Sequence, residues 1–288
     1  MKEGLTALHA AAMFGRLEAL FVAHSRRANV HIIDQYGRIA LHAAVGLSLQ
    51  GRCMHNSRDE GERMTDHIWN FDDEEYCYQV TEVARKVRPD IIQQLCRKSQ
   101  ELVHRQDDGG RTALRLVRCH NYDPAAVGTT SVLLAFGGDS RARDQDGITP
   151  IHLAAEEGDI ECLKLLVPSR RAHDFGIVDN SGRNALPHAA KSPDQRVVEY
   201  VLGRSSTTRL LNAVDIHGQD ALQISLLDEA SSHRFGRCCP ETIRITLAAG
   251  ARADRANHRG RDALTHYLAH KPFIVKADVV QMGCEPSF

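Results

Sequence analysis

The sequence predicts an all-α repeat fold in which helix-turn-helix units, each opened by a short β-hairpin-like finger, stack into a solenoid. Three observations predict it. A glycine followed four residues later by Leu or Ile recurs in seven registers, at Gly4, Gly37, Gly110, Gly147, Gly182, Gly218 and Gly260. The Leu or Ile (Leu8, Leu41, Leu114, Ile151, Leu186, Leu222, Leu264) follows Ala7, Ala40, Ala113, Pro150, Ala185, Ala221 or Ala263. Three residues before six of the glycines stand Asp34, Asp107, Asp144, Asp179, Asp215 and Asn257. Self-similarity at fixed offsets is the mark of a repeat architecture.

Each unit begins with the finger. Asp-x-x-Gly suits a tight turn, because the Asp side chain accepts from backbone N–H groups two residues on and Gly takes positive φ without a Cβ clash. A short helix follows, which Thr6, Thr112 or Thr149 is placed to cap and whose Leu and Ala positions recur at helical spacing. A second helix is announced by Pro89, Pro193, Pro240 and Pro272, since proline in a first turn forfeits no intrahelical bond. Gly137 and Gly250 fit left-handed helix endings. So small a unit cannot bury its own apolar face and depends on its neighbours, which makes the stack a solenoid with a concave side.

The stretches GITPIHLAAEEGDIECLKLL (147–166), GLTALHAAAMFGRLEAL (4–20) and GRIALHAA (37–44) resemble ankyrin repeats, and the resemblance extends over nearly the whole chain. It implies units at about 1–33, 34–106 with an insertion at 46–88, 107–143, 144–178, 179–214, 215–256 and 257–288, in one solenoid. It also implies that His9, His42 and His152, which follow the Leu or Ile, are structural and bond neighbouring backbone and Thr. Arg115, Pro187, Gln223 and Thr265 stand at that position in the other units, which are degraded matches.

Successive glycines lie 33, 73, 37, 35, 36 and 42 residues apart, and the excess is expected between the first and second helix of a unit. The insertion holds the single tryptophan, Trp69, in a run with Phe71 and Tyr76 that interleaves aromatics with acids. Aromatics anchor interfaces, so this run is a candidate partner contact; the alternative is that the rings fold back on the solenoid.

Composition narrows the function. A hydrophobic fraction of 42% suits a folded domain, and a net charge of -1 supplies no whole-molecule attraction to nucleic acid or anionic lipid, so neither is expected as a partner. No run of roughly 20 apolar residues is present to span a membrane, and no signal-peptide pattern opens the chain. An intracellular protein, cytoplasmic or nuclear, is expected. The eight cysteines, Cys96 and Cys162 among them, suit reduced and mostly buried thiols. Cys53, His55, His67 and Cys77 are of zinc-ligand type but match no compact zinc spacing, and Cys238-Cys239 lacks a partnered pair, so neither metal nor cofactor is expected. Phosphate-loop, dinucleotide, HExxH and GxSxG signatures are absent, and no catalytic residue is assigned.

The resemblance implies a protein-interaction module or scaffold. Its candidate contacts are Tyr36, Arg38, Asp108, Arg111, Asp146, Arg183, His217 and Arg261 on fingers, Met13, Phe14, Glu156 and Glu157 at the ends of first helices, and Trp69, Phe71 and Tyr76 in the insertion. Arg38, Arg111, Arg183 and Arg261 directly follow finger glycines, and such a row is suited to an acidic ligand or to plain solvation. The partner is expected to be another protein, bound by a monomer or by part of a longer chain. Met1 stands only three residues before Gly4, which favours the alternative of a regulatory or targeting segment of a larger enzyme, receptor or channel.

Overall fold

The computed structural model describes residues 5–46, 87–117, 124–192, 194–204, 207–227 and 240–263. The chain divides into two compact units, Met1–Arg118 with Pro124–Asp139, and Cys119–Asp123 with Ser140–Phe288. Gly4, Leu264, Pro193, Pro272, the run holding Trp69, Phe71 and Tyr76, the zinc-type residues Cys53, His55, His67 and Cys77, and Cys238-Cys239 lie outside the described residues.

In the first unit the helices are α1 (Ala7–Met13), α2 (Leu17–Ser25), α3 (Ala40–Gly46), α4 (residues 87–98), α5 (Ala113–Leu116) and α6 (Pro124–Ala135). Helix α1 packs on α3, and α3 on α5. The second unit holds α7 (Pro150–Glu157), α8 (Ile160–Leu166), α9 (Ala185–Ala190), α10 (Arg196–Arg204), α11 (Thr207–Leu211), α12 (Ala221–Leu227) and α13 (Pro240–Ala248). Here α7 packs on α9, α9 on α12, and α10 against both α8 and α13. First helices therefore stack on first helices and second on second. Leu8, Leu41, Leu114, Ile151, Leu186 and Leu222 are all buried. Each withdraws an aliphatic side chain from water, worth about 2 kcal/mol.

Thr6, Thr112 and Thr149 cap their helices, accepting from the backbone N–H groups of His9, Arg115 and His152. Pro150 and Pro240 are the first residues of α7 and α13, while the chain is already helical two residues before Pro89. Gly137 and Gly250 take φ of +91° and +96°, as helix endings in the left-handed region require.

The expected location of the excess residues needs correcting. Twelve residues do separate α12 from α13, but only two separate α7 from α8. In the unit opened by Gly147 the excess instead follows the second helix, as a short 3-10 turn at Ser169–Gly176. In the unit opened by Gly182, α11 likewise follows the second helix. Phe175, fully buried, explains why the 3-10 turn is held down: it meets Tyr200 of α10 edge to face, with ring centroids 6.3 Å apart.

Candidate protein-interaction surface

Six fingers are built alike. The Asp or Asn N–H donates to the carbonyl of the residue after the glycine (Arg38, Arg111, Ile148, Arg183, Gln219 and Arg261, 2.9–3.1 Å), and the glycine N–H returns a bond to the Asp or Asn carbonyl. Those two bonds make the hairpin. The Asp34, Asp107, Asp144 and Asp215 side chains each accept through Oδ1 from two backbone N–H groups of their own turn, 2.8–3.0 Å away. Asn257 does the same for Arg259 and Arg261 at 2.9 and 3.2 Å. The six glycines lie at φ between +69° and +80°.

Adjacent fingers are linked by single backbone bonds. Asp108 N–H donates to Tyr36 C=O in the first unit (3.0 Å). In the second, Asn180 donates to Asp146, Ile216 to Ser181 and His258 to His217, at 2.9–3.0 Å. Asp108, Asp146 and His217 are exposed at the tips.

The ring nitrogens of the structural histidines tie each first helix to the next finger. His42 Nδ1 accepts from Ile39 N–H (3.2 Å), while Nε2 donates to the carbonyls of Arg105 and Arg111 (3.0 Å each). His9 and His152 reach the carbonyls of Arg38 and Ile177 in the same way, at 2.9 Å. The imidazoles of His42 and His152 are neutral: burial lowers the pKa of His42, and burial with the neighbouring charge of His188 takes His152 down to about 4.

Among the units that look degraded in sequence, one keeps this tie by other chemistry and another ties its first helix to α11 instead. Gln223 Oε1 accepts from Asp220 N–H (3.3 Å) and its Nε2 donates to the carbonyls of Arg255 and Arg261 (2.9 and 3.1 Å), so a neutral amide stands in for an imidazole. Where Pro187 removes the side chain, Asn184 both caps α9 through Leu186 N–H (2.9 Å) and donates to Leu210 C=O (3.2 Å). The substitution Gln223→Leu should therefore cost about 2–3 kcal/mol by orphaning buried polar groups, whereas Gln223→His should be nearly neutral; urea unfolding of the two variants checks this.

Three of the four candidate arginines that follow finger glycines are engaged within the fingers. Arg38 meets Asp34 (2.8 Å) and lies over the Tyr36 ring at 5.0 Å, Arg111 meets Asp107 (2.9 Å), and Arg183 meets Asp215 of the following finger (3.1 Å). Arg183 crosses because the outer oxygen of its own finger's Asp179 is held by His188 Nε2 (3.1 Å). His188 Nδ1 meets Glu156 Oε2 at the end of α7 (2.9 Å). Both partners are acceptors only, so the buried ring carries two protons. Burial opposes that charge, but the bonds to Asp179 and Glu156 outweigh it and raise the His188 pKa. Asp179 is correspondingly lowered: the bonds from His188 and the Arg183 N–H overcome its burial. Sequence reasoning missed His188, although a histidine where other units carry Ala10, Ala43 or Leu153 was a signal.

Of the other candidates, Met13, Phe14 and Glu157 are half-buried at the ends of first helices, and Glu156 is exposed. Cys96 and Cys162 are buried and joined in no disulfide, and burial pushes the Cys96 thiol up to about 12. Among the described residues no group of three or more His, Cys, Asp and Glu could hold a metal ion, and no helix is long and apolar enough to cross a membrane.

Comparison with known proteins agrees with this geometry. The family model for ankyrin repeats in three copies matches residues 121–220, and the single ankyrin repeat model matches residues 3–35. Protein glp-1 of Caenorhabditis elegans is 29% identical over 156 residues, which is 51% of this chain and 11% of that protein. The chain is thus similar to a small part of a far longer relative. The crystal structure of the ankyrin repeat domain of Bcl-3, titled a unique member of the IkappaB protein family, superimposes with a TM-score of 0.60 at 21% identity, over 98% of this chain and 99% of that one. That likeness is one of fold.

Proposed function

Since the chain belongs to the ankyrin repeat family, whose repeats are protein-interaction modules, we propose that it is a scaffold rather than a catalyst, binding a partner protein through its finger tips and the exposed ends of its first helices. One observation carries this reading. The finger backbones are fixed by the bonds of Asp34, Asp107, Asp144 and Asp215 and by the links between neighbours, while the tip side chains of Asp108, Asp146 and His217 face water. A surface ordered before binding loses little conformational entropy when a partner arrives. Buried reduced thiols at Cys96 and Cys162 suit a reducing compartment, cytoplasm or nucleus.

Site-specific photo-crosslinking tests the proposal. A photoreactive residue at position 146 or 217 should capture one and the same partner from the source cell, and one at Lys164 on the exposed side of α8 should capture none. Equal capture from position 164 would sink the finger-tip assignment.

A second reading, a regulatory or targeting segment of a larger protein, is favoured by the match to 11% of protein glp-1, where similar sequence sits inside a far longer chain. Its test is the size of the endogenous protein on a blot raised against residues 144–262. A band near 32 kDa would exclude it.

A further inference from the structure

We infer that the last described finger, around Arg261, takes an aspartate or glutamate side chain from an acidic segment of a partner protein, a reading that deepens the finger-tip proposal and rests on it. The structure shows three times what an arginine after a finger glycine binds. Arg38, Arg111 and Arg183 each hold a finger carboxylate, of Asp34, Asp107 and Asp215, at 2.8–3.1 Å, and each of those side chains is 0% exposed. In the fourth such finger the aspartate is Asn257. Its Oδ1 still organises the turn through Arg259 and Arg261 N–H, so the finger keeps its shape. Its second side-chain atom is an amide nitrogen, a donor that cannot pair with a guanidinium.

The charges nearby do not replace the lost carboxylate. Asp254 is paired with Arg252 at 3.0 Å, and Arg255 donates to Asn212 C=O at 2.8 Å. Asp262 is itself engaged. Among the described residues no carboxylate meets the side chain of Arg261 or of the exposed Arg259.

A second observation concerns the space over the turn. A Cβ built on Gly37, Gly147, Gly182 or Gly218 would meet a residue of the following finger, Asp108, Asn180, Asp215 or His258. Over Gly260 nothing lies within 4 Å among the described residues. The pairing of fingers in the second unit indicates what fits there. Asp215 gives its carboxylate to Arg183 while the next residue, Ile216, donates its N–H to Ser181 C=O (2.9 Å). At the last finger the equivalent groups are the Arg261 guanidinium and the Arg259 carbonyl. An Asp followed by any residue with an N–H satisfies both, which a phosphate chain, having no such paired donor, does not.

The experiment uses the full chain and a short fluorescein-labelled Asp-rich peptide, with its Asn counterpart as control, read by fluorescence polarisation at low salt. Wild type should bind the Asp peptide in a salt-sensitive way and the Asn peptide at least about tenfold more weakly. Asn257→Asp recreates the internal pair of the other fingers, keeps the fold and should weaken binding about fivefold to tenfold; Arg261→Gln should do the same, and Arg38→Gln should not. Unchanged binding by N257D, equal binding of the Asn peptide, competition by a DNA duplex as effective as by the peptide, or a photo-crosslink from position 259 into residues 264–288 of the same chain would each overturn the inference. Partner capture from positions 146 and 217 is measured alongside. If that capture persists while N257D is silent, only this inference fails; if that capture is absent, the finger-tip reading fails with it.

Discussion

Replacing His188 by leucine is expected to destabilise the second unit by about 3 kcal/mol, the usual cost of leaving a buried charge without its partner. The charge left behind is that of Asp179, whose side chain is 6% exposed and whose outer oxygen faces His188. The double variant Asp179→Asn, His188→Leu should recover most of the loss, since Asn257 shows that Asn can organise a finger. A double variant as unstable as His188→Leu alone would mean that lost packing, not the charge, sets the cost.

The same cluster sets the pH profile. The folded pKa of His188 lies above its ordinary value of 6.5, so its contribution is fully present below about pH 6.5 and is lost as pH rises through the folded value. The folded pKa of Asp179 lies below the ordinary 3.8, so its contribution is present above that value and is lost as pH falls through the lowered one. His152, down at about 4, acts in the opposite sense to His188: the unfolded chain takes up its proton first, and stability falls as pH drops from about 6.5 toward 4. The groups facing this cluster are Glu156 and His152 on α7, Asp179 and Arg183 on its finger, and Arg143 on the preceding one. Stability should therefore peak in weakly acidic to neutral solution, and in urea titrations across pH His188→Leu should flatten the alkaline limb and also soften the acid limb, because the lowering of Asp179 and part of that of His152 come from His188.

The second large effect is expected at Gly218. Its φ of +73° already disfavours a side chain, and an alanine Cβ would stand 2.9 Å from the backbone nitrogen of His258, which donates the link to His217 C=O. Backbone cannot swing aside as a side chain can. Gly218→Ala should cost about 3 kcal/mol, the left-handed strain plus the lost link, while Gly260→Ala, at φ +69° with nothing above it among the described residues, should cost only about 1 kcal/mol. Equal shifts in urea midpoint for the two variants would show that conformation alone, and not the neighbouring finger, sets the cost.

The finger and the first helix were legible because their chemistry is local. Asp34 and Gly37, or Thr149 and His152, meet within one turn, and their offsets appear in the chain as written. The pairing of Arg38 with Asp34 was legible for the same reason, four residues apart, yet the arginines were read as a surface because only geometry shows whose carboxylate they hold. Arg183 holds one 32 residues away. The equivalence of Gln223 and His42 was hidden by residue type: the fold asks for an acceptor and a donor on one short side chain, and both residues supply them. The 3-10 turn at Ser169–Gly176 was hidden because SRRAHDFG has no apolar period; a buried ring, Phe175, and a buried carboxylate, Asp174, paired with Arg141, hold it.

The single bonds between fingers give this protein a built-in clock. The amides of Asn180, Ile216 and His258 each point at a carbonyl of the preceding finger and at no partner within their own turn. Deuterium can enter them only when two neighbours part, while the amides of Gly182 and Gly218 wait for the turn itself to open. The difference between those exchange rates, read along the second unit, is a direct measure of how tightly each repeat is coupled to the next, and a bound partner bridging two tips should slow the first set and leave the second unchanged.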